Sequence, residues 1–320
     1  MHAPMTAVST STSARIDRRT TQTLLPVPAV PFDGRPPLVF RDDGAMDDYA
    51  FIDAGDGARL ERFGDHLVVR PHPAAIVDRR DPARWAEADL RFERERGWDG
   101  TGLAPARAGW VVRIADLAFE LRPTDTGQVG LFPEHAAMLP WLLTRIAARQ
   151  GVPPPAVLNL FGYTGLATLA LARAGAAVAH VDAARPSLAW ARRNAALNAL
   201  TDRPVRWLVD DVRGFVAREV RRGRRYDGVV LDPPTYGHGP RGRAWRLEDS
   251  IEPLLAELRG VLSPTGFVLL TAHADALAPS DLGAWLATIA DDVEIGALRP
   301  TAESGARLEL GAFARARGAS

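Results

Sequence analysis

An apolar run, Val157 to Leu160, leads into Phe161-Gly162-Tyr163-Thr164-Gly165, and about seventy residues later another, Val229 to Leu231, leads into Asp232-Pro233-Pro234-Thr235-Tyr236. The first turn continues as Leu166-Ala167-Thr168-Leu169-Ala170-Leu171-Ala172, so it reads as strand, tight turn and helix. Glycine there permits positive φ and a close backbone approach to a bound molecule. A further apolar run, Ala177 to Val181, ends at Asp182, about 20 residues beyond the turn, where a carboxylate accepts both hydroxyls of a ribose. This spacing predicts a βαβ unit that binds a ribose.

A glycine turn followed by an acid also describes dinucleotide enzymes. The full Gly-x-Gly-x-x-Gly is absent, however, because Asn159 and Phe161 flank a single Gly162 and no glycine stands two positions before it. A turn with no pyrophosphate to cradle dispenses with that glycine, which favours S-adenosylmethionine over NAD. Asn159, Phe161, Gly162, Tyr163, Thr164 and Gly165 are then the residues expected to meet the cofactor, with Asp182 on its ribose. The next short strand, Trp207 to Asp211, ends in an acid that either takes the adenine amino group or caps the helix beginning near Arg213.

The second run carries the acceptor chemistry. Two successive prolines remove two backbone donors and stiffen the chain, which leaves carbonyls to point at a ligand. Asp232 and the Pro233 carbonyl are candidates to free the lone pair of an exocyclic amine, and Tyr236 to stack on a flat base beside Pro234. The bland alternative is an ordinary Pro-rich turn. Transfer from a sulfonium is an in-line displacement with a good leaving group, so positioning alone supplies on the order of 7 kcal/mol or more. His273 ends the run Leu269-Leu270-Thr271-Ala272-His273 and either accepts a proton near neutrality or solvates a strand end. His238, in the segment Gly237 to Gly242, is expected to shape the substrate mouth, and Arg241 and Arg243 to offer phosphate contacts.

On the Asn159–Gly165 turn and the Asp232–Tyr236 loop, the chain resembles class I S-adenosylmethionine-dependent methyltransferases. Within them it is similar to the bacterial 23S ribosomal RNA methyltransferases that carry an Asp-Pro-Pro-x-aromatic loop, over a stretch from about Tyr49 to the C-terminus. The resemblance implies an α/β, Rossmann-like domain with a mostly parallel seven-stranded sheet and an antiparallel terminal hairpin. It also implies methylation of a nucleobase nitrogen of RNA, ribosomal RNA favoured. A small-molecule N- or O-methyltransferase is the alternative, followed by a non-catalytic RNA-binding protein on the same fold. In the resembled family a Thr-Gly segment lines the cofactor pocket; here it reads Thr126-Gly127-Gln128-Val129-Gly130-Leu131-Phe132-Pro133-Glu134-His135, which makes Phe132 and Glu134 cofactor candidates. Pro133 and Glu134 equally suit the first turn of a helix over Ala136 to Ala148. Relatives that methylate C5 of cytosine attack it with a cysteine thiolate. This chain has no cysteine, so that covalent route is excluded.

These pieces need elements to hold them. Alternating runs at Ala50–Asp53, Ala58–Phe63 and His66–Arg70, a helical stretch around Trp85 to Glu95, and strands at Trp110–Arg113 and Ala118–Leu121 read as a small α+β domain over 47–124. The catalytic domain is expected over 125–320. Its later elements are a fifth strand at Phe267–Thr271, a helix at Asp281–Ala290, and a closing pair at Val293–Leu298 and Arg307–Phe313. Residues 1–46 read as a disordered tail and a Pro-rich linker, too short for the RNA-binding module that relatives carry ahead of the small domain.

Composition bounds the rest. Hydrophobic residues make up 47% of 320, enough for a sizeable core, and no apolar stretch approaches the ~20 residues of a membrane span. The absence of cysteine excludes disulfides and cysteine-ligated zinc; a cytoplasmic protein without a metal is expected. Thirty-nine Lys and Arg balance thirty-nine Asp and Glu, where nucleic-acid binders commonly carry a basic surplus. Local excess exists at Arg218, Arg221, Arg222, Arg224 and Arg225, and again at Arg241, Arg243 and Arg246.

Overall fold

The computed structural model describes residues 48–149, 151, 153–238, 244–273 and 277–317. The expected tail and linker, Arg241, Arg243 and the His238 side chain lie outside the described residues.

Alternating apolar and polar residues build a five-stranded sheet from β1 (Tyr49–Gly55), β2 (Ala58–Phe63), β3 (His66–Pro71), β4 (Leu90–Glu93) and β5 (Gly97–Asp99), in that order. The helix expected from Trp85 to Glu95 is a correction. α1 spans only Pro82–Ala86, and the chain then runs as β4 parallel to β3. Leu90 and Phe92 are buried while Arg91 and Glu93 are not, a period of two rather than 3.6. Asp89 fixes the switch, accepting from Leu67 N at 2.8 Å and lying 2.6 Å from His66 Nδ1.

After α2 (Leu103–Ala108), a hairpin of β6 (Trp110–Ile114) and β7 (Leu117–Leu121) leads to a 3-10 turn, Pro133–Met138, and α3 (Leu139–Ala147). The continuous helix expected over Ala136 to Ala148 is therefore split. Pro140 has no N–H to give the Ala136 carbonyl, so the α-helix restarts around it.

The large sheet follows from β8 (Ala156–Leu160), α4 (Leu166–Arg173), β9 (Ala177–Asp182), α5 (Arg185–Leu197), β10 (Val205–Val209), α6 (Val212–Arg221) and β11 (Tyr226–Leu231). A small hairpin, β12 (Tyr236–His238) and β13 (Ala244–Arg246), precedes α7 (Leu247–Arg259), β14 (Leu262–Ala272), α8 (Pro279–Leu286), β15 (Glu294–Leu298) and β16 (Gly311–Arg317). The order β10-β9-β8-β11-β14-β16-β15 is parallel except for β16, which runs antiparallel to both neighbours, in agreement with the expected fold class. The closing strand begins at Gly311 rather than Arg307. A Cβ on Gly311 would lie 2.4 Å from the Ala272 carbonyl, so the chain enters the sheet where glycine permits that approach. The helix expected to reach Ala290 ends at Leu286.

Strand alternation explains why both faces are covered. Val157, Val178 and Val230 pack with Phe119, Leu142 and Leu169 on one face. Leu158, Val181, Val229 and Leu231 pack with Phe215, Ile251 and Leu254 on the other. The β6–β7 hairpin, expected within the small domain, is tied to α5: Asn194 Oδ1 and Asn198 Oδ1 accept from Glu120 N and Ala118 N, and Trp190 Nε1 donates to Glu120 O. Because the strand order reverses between β8 and β11, a crevice opens at the carboxyl ends of these two strands.

Candidate functional site

The turn after β8 is shaped by residues other than its glycines alone. Phe161 and Tyr163 both hold left-handed φ, +58° and +48°, and Gly165 takes +98°. Gly162 serves a different need: a Cβ there would sit 2.5 Å from His180 Cε1. Side chains and neighbouring backbone hold the strained turn in place. Asp182 Oδ2 accepts from Tyr163 N at 2.8 Å, Val181 O accepts from Gly162 N, and Thr164 Oγ donates to Gly130 O at 2.6 Å. Beneath the turn, buried Asn159 Nδ2 donates to Thr168 Oγ at 2.7 Å, which leaves the Thr168 hydroxyl proton for His180 Nδ1 at 2.9 Å.

Asp182 stands at the end of β9 with one backbone donor on each oxygen, Tyr163 N and Ala184 N, both at 2.8 Å. Burial pushes its carboxyl upward, and these two bonds pull part of the way back. Asp211 caps α6 through Oδ1, which accepts from Gly214 N at 2.8 Å; its neighbour Asp210 pairs with Arg218.

One cavity joins the two motifs. Asn159, Phe161 to Gly165, Phe132 and His135 line it together with Asp232 and Thr271. Asp232 follows β11, and its Oδ1 accepts from Thr271 Oγ at 2.7 Å. Pro233 is buried and Pro234 exposed. The Pro234 carbonyl accepts from Trp245 Nε1 at 2.7 Å, while the Trp245 ring packs 4.9 Å from that of Phe161. Tyr236 is 72% exposed on β12 and is not part of the cavity lining.

His273 directly follows β14 and donates from Nδ1 to Leu310 O at 2.7 Å. Its Nε2 faces His135 Nε2 at 2.6 Å, and Asp232 Oδ1 lies 3.6 Å from His273 Nε2 and 3.7 Å from His135 Nε2. Phe132 packs against His273, Tyr163 and His135. Glu134 is buried and its Oε2 has no hydrogen-bond partner among the described residues. Burial raises its carboxyl, but Arg59, His273 and His135 outweigh that and hold it below the ordinary range. His135, Thr271, His180 and Trp245 were not singled out from sequence. His135 sits inside the Thr-Gly segment, but its partner His273 is 138 residues away, so no local spacing announces the pair.

Between the cavity-lining Phe132 and His135, Glu134 keeps a buried carboxylate oxygen without a hydrogen-bond partner among the described residues, which suits the charged methionyl end of an adenosyl cofactor. The family model for S-adenosylmethionine-dependent methyltransferases matches residues 104–294. The chain belongs to that family. A crystal structure of a SAM-dependent methyltransferase from Agrobacterium tumefaciens is 34% identical, with a TM-score of 0.79 over 85% of this chain and 91% of the other. A methyltransferase-fold protein solved with SAH, 17% identical at a TM-score of 0.67 over 84% of this chain and 75% of its own, shares the architecture. Among curated relatives, the ribosomal RNA large subunit methyltransferase K/L of a Shewanella species is 28% identical over 71% of this chain and 34% of its own length. That of Methylococcus capsulatus is 34% identical over 51% of this chain and 22% of its own. The chain thus spans about a third or less of the length of the curated relatives it matches. This methyltransferase uses S-adenosyl-L-methionine, and no helix among its described residues is long and apolar enough to cross a membrane.

Proposed function

We propose that this methyltransferase acts in the cytoplasm on a nucleobase nitrogen of RNA, ribosomal RNA favoured, by direct in-line transfer without a covalent enzyme intermediate. The observation that carries this reading is that Asp232 of the Asp-Pro-Pro-x-aromatic loop and the Asn159–Gly165 turn line a single cavity. The large-subunit ribosomal RNA methyltransferases matched above support the substrate class.

In this reading residues 125–320 hold cofactor and acceptor, and residues 47–124 brace them. Asp182 takes the ribose hydroxyls, Glu134 the methionyl ammonium, and Phe132, Asn159, Phe161, Gly162, Tyr163, Thr164 and Gly165 enclose the rest. Bound there, S-adenosylmethionine supplies the electrophilic methyl group. Asp232 and the Pro233 carbonyl orient the acceptor amine and draw on its protons, while His273 receives the proton released. Pro234, Tyr236, His238, Arg241 and Arg243 form the RNA side. Chemistry then rests on alignment rather than on an activated nucleophile, and the chain has no cysteine with which to make one.

A small-molecule acceptor is the second reading, favoured by the exact balance of thirty-nine basic and thirty-nine acidic residues. Labelled methyl transfer to total ribosomal RNA from a strain lacking the gene, beside a small-molecule extract and an Asp232→Ala control, separates the two. Label in a defined RNA fragment supports the first reading; label confined to the extract overturns it.

A further inference from the structure

We infer that His135, His273 and Asp232 form a binding site for a divalent transition-metal ion at the acceptor end of the cavity. The three ligand atoms are His135 Nε2, His273 Nε2 and Asp232 Oδ1, all within 4.8 Å of one another. Their separations are 2.6, 3.6 and 3.7 Å, so a point about 2 Å from all three exists, close to zinc–imidazole and zinc–carboxylate bond lengths.

Hydrogen bonding explains less of this geometry. The Leu310 carbonyl takes the Nδ1 proton of His273, which fixes the His273 lone pair on Nε2, aimed at His135. A proton on His135 Nε2 would satisfy that pair. It would leave the Asp232 carboxylate beyond hydrogen-bond reach of both rings, with its Oδ1 nearly equidistant from them. An ion at the centre answers all three atoms together. Tetrahedral spacing asks the two ring nitrogens to part by about 0.7 Å, which a small rotation of either ring supplies.

The surroundings are those of a ligating histidine. Its second nitrogen donates to a backbone carbonyl, and Glu134 Oε1 stands 3.7 Å from that same nitrogen. Thr271 anchors Oδ1 of Asp232 from behind. Two nitrogens and one carboxylate suit zinc, cobalt(II) or iron(II) rather than magnesium or calcium, which prefer all-oxygen shells. Three protein ligands leave a position open toward the cavity, where an oxygen or ring nitrogen of the acceptor would bind. With His273 Nε2 committed to the ion, the other oxygen of Asp232, in place of His273, receives the proton released by the acceptor.

Cofactor binding and metal binding are separate readouts, so failure of one leaves the other standing. Untagged full-length protein, stripped with chelator, is titrated with Co2+ and followed by visible absorption, with Zn2+ as competitor. A single Co2+ per chain is expected, displaced by Zn2+. His135→Gln and His273→Gln are expected to weaken it by about tenfold or more, as loss of metal-site residues does. Thermal midpoints and adenosylmethionine affinity report whether each variant is folded. Wild-type protein that binds adenosylmethionine but shows neither a Co2+ spectrum nor a Zn2+-dependent rise in midpoint overturns the site. So does a folded His135→Gln that binds Co2+ as the wild type does.

Discussion

The imidazole of His180 lies against the α-carbon of Gly162, so close that a Cβ on Gly162 would meet Cε1 at 2.5 Å and Nδ1 at 2.6 Å. His180 is fully buried and held by the Asn159–Thr168–His180 chain of hydrogen bonds, so the ring cannot step aside. Gly162→Ala must therefore lift the turn. Overpacking of this kind costs ~1–3 kcal/mol, and the raised backbone would also occupy cofactor space. Chemical denaturation and adenosylmethionine titration should both register the change. A Gly162→Ala, His180→Ala double variant should recover part of the stability, since the two substitutions share one contact. Strict additivity would show that the clash is not the cause.

His180 also gives an acid limit. Burial lowers its pKa from 6.5 to about 3, and its Nε2 has no hydrogen-bond partner among the described residues. The unfolded chain thus binds a proton between pH 6.5 and about 3 that the folded chain refuses. Stability should be intact above pH 6.5 and fall as pH drops toward 3, at up to ~1.4 kcal/mol per unit from this group. His135, lowered by burial as well, acts in the same direction, so the comparison must isolate His180. Denaturant midpoints from pH 7 to 4.5 should show a shallower slope in His180→Gln than in wild type. Parallel slopes would remove His180 from the account.

On the proposed function, the two aspartates divide binding from transfer. Asp182→Ala removes a carboxylate that already receives the Tyr163 and Ala184 amides, so it loses both the ribose acceptor and the turn's anchor. Charged hydrogen bonds contribute ~1.5–3 kcal/mol each, so adenosylmethionine affinity should fall at least about tenfold. Asp232→Ala removes the acceptor of the Thr271 hydroxyl and the carboxylate facing His135 and His273, all at the acceptor end. It should leave cofactor affinity within about threefold while transfer drops by about 10² or more. Equal loss of affinity in both variants would sink this division.

How far the sequence reaches differs between the two kinds of feature. Elements whose signal is local were legible. The Val157–Leu160 and Val229–Leu231 strands, the turn between Phe161 and Gly165, and the Asp-Pro-Pro loop all carry their pattern within about ten residues. Leu90–Glu93 misled because Asp, Arg and Glu at helical spacing surround it, while the cue that makes it a strand is Asp89 bonding to Leu67 in β3, 22 residues away. Asp211 read as a cofactor ligand ahead of a cap, and the Gly214 amide shows the cap while leaving its other oxygen unassigned. The His135–His273 pair and the His180 floor beneath Gly162 arise only when the sheet is assembled, so no pattern along the chain foretells them.

Trp245 shows how the acceptor loop is kept in shape from outside the cavity. Its indole donates to the Pro234 carbonyl at 2.7 Å, and its ring packs on Phe161, which belongs to the cofactor turn. One side chain therefore couples the two motifs. Trp245→Phe keeps the ring contact and deletes the donor. A lost hydrogen bond of this type costs ~1 kcal/mol, so the thermal midpoint should fall by a few degrees. With the Phe161 face still covered, adenosylmethionine affinity should hold within about threefold. The Pro233–Pro234 segment, released at one end, should misplace the acceptor and lower the transfer rate severalfold or more, because the proposed in-line transfer draws its acceleration from alignment. Trp245→Ala, which removes both contacts, should weaken cofactor affinity as well. If Trp245→Phe transferred methyl at the wild-type rate, the indole bond would be a matter of stability alone.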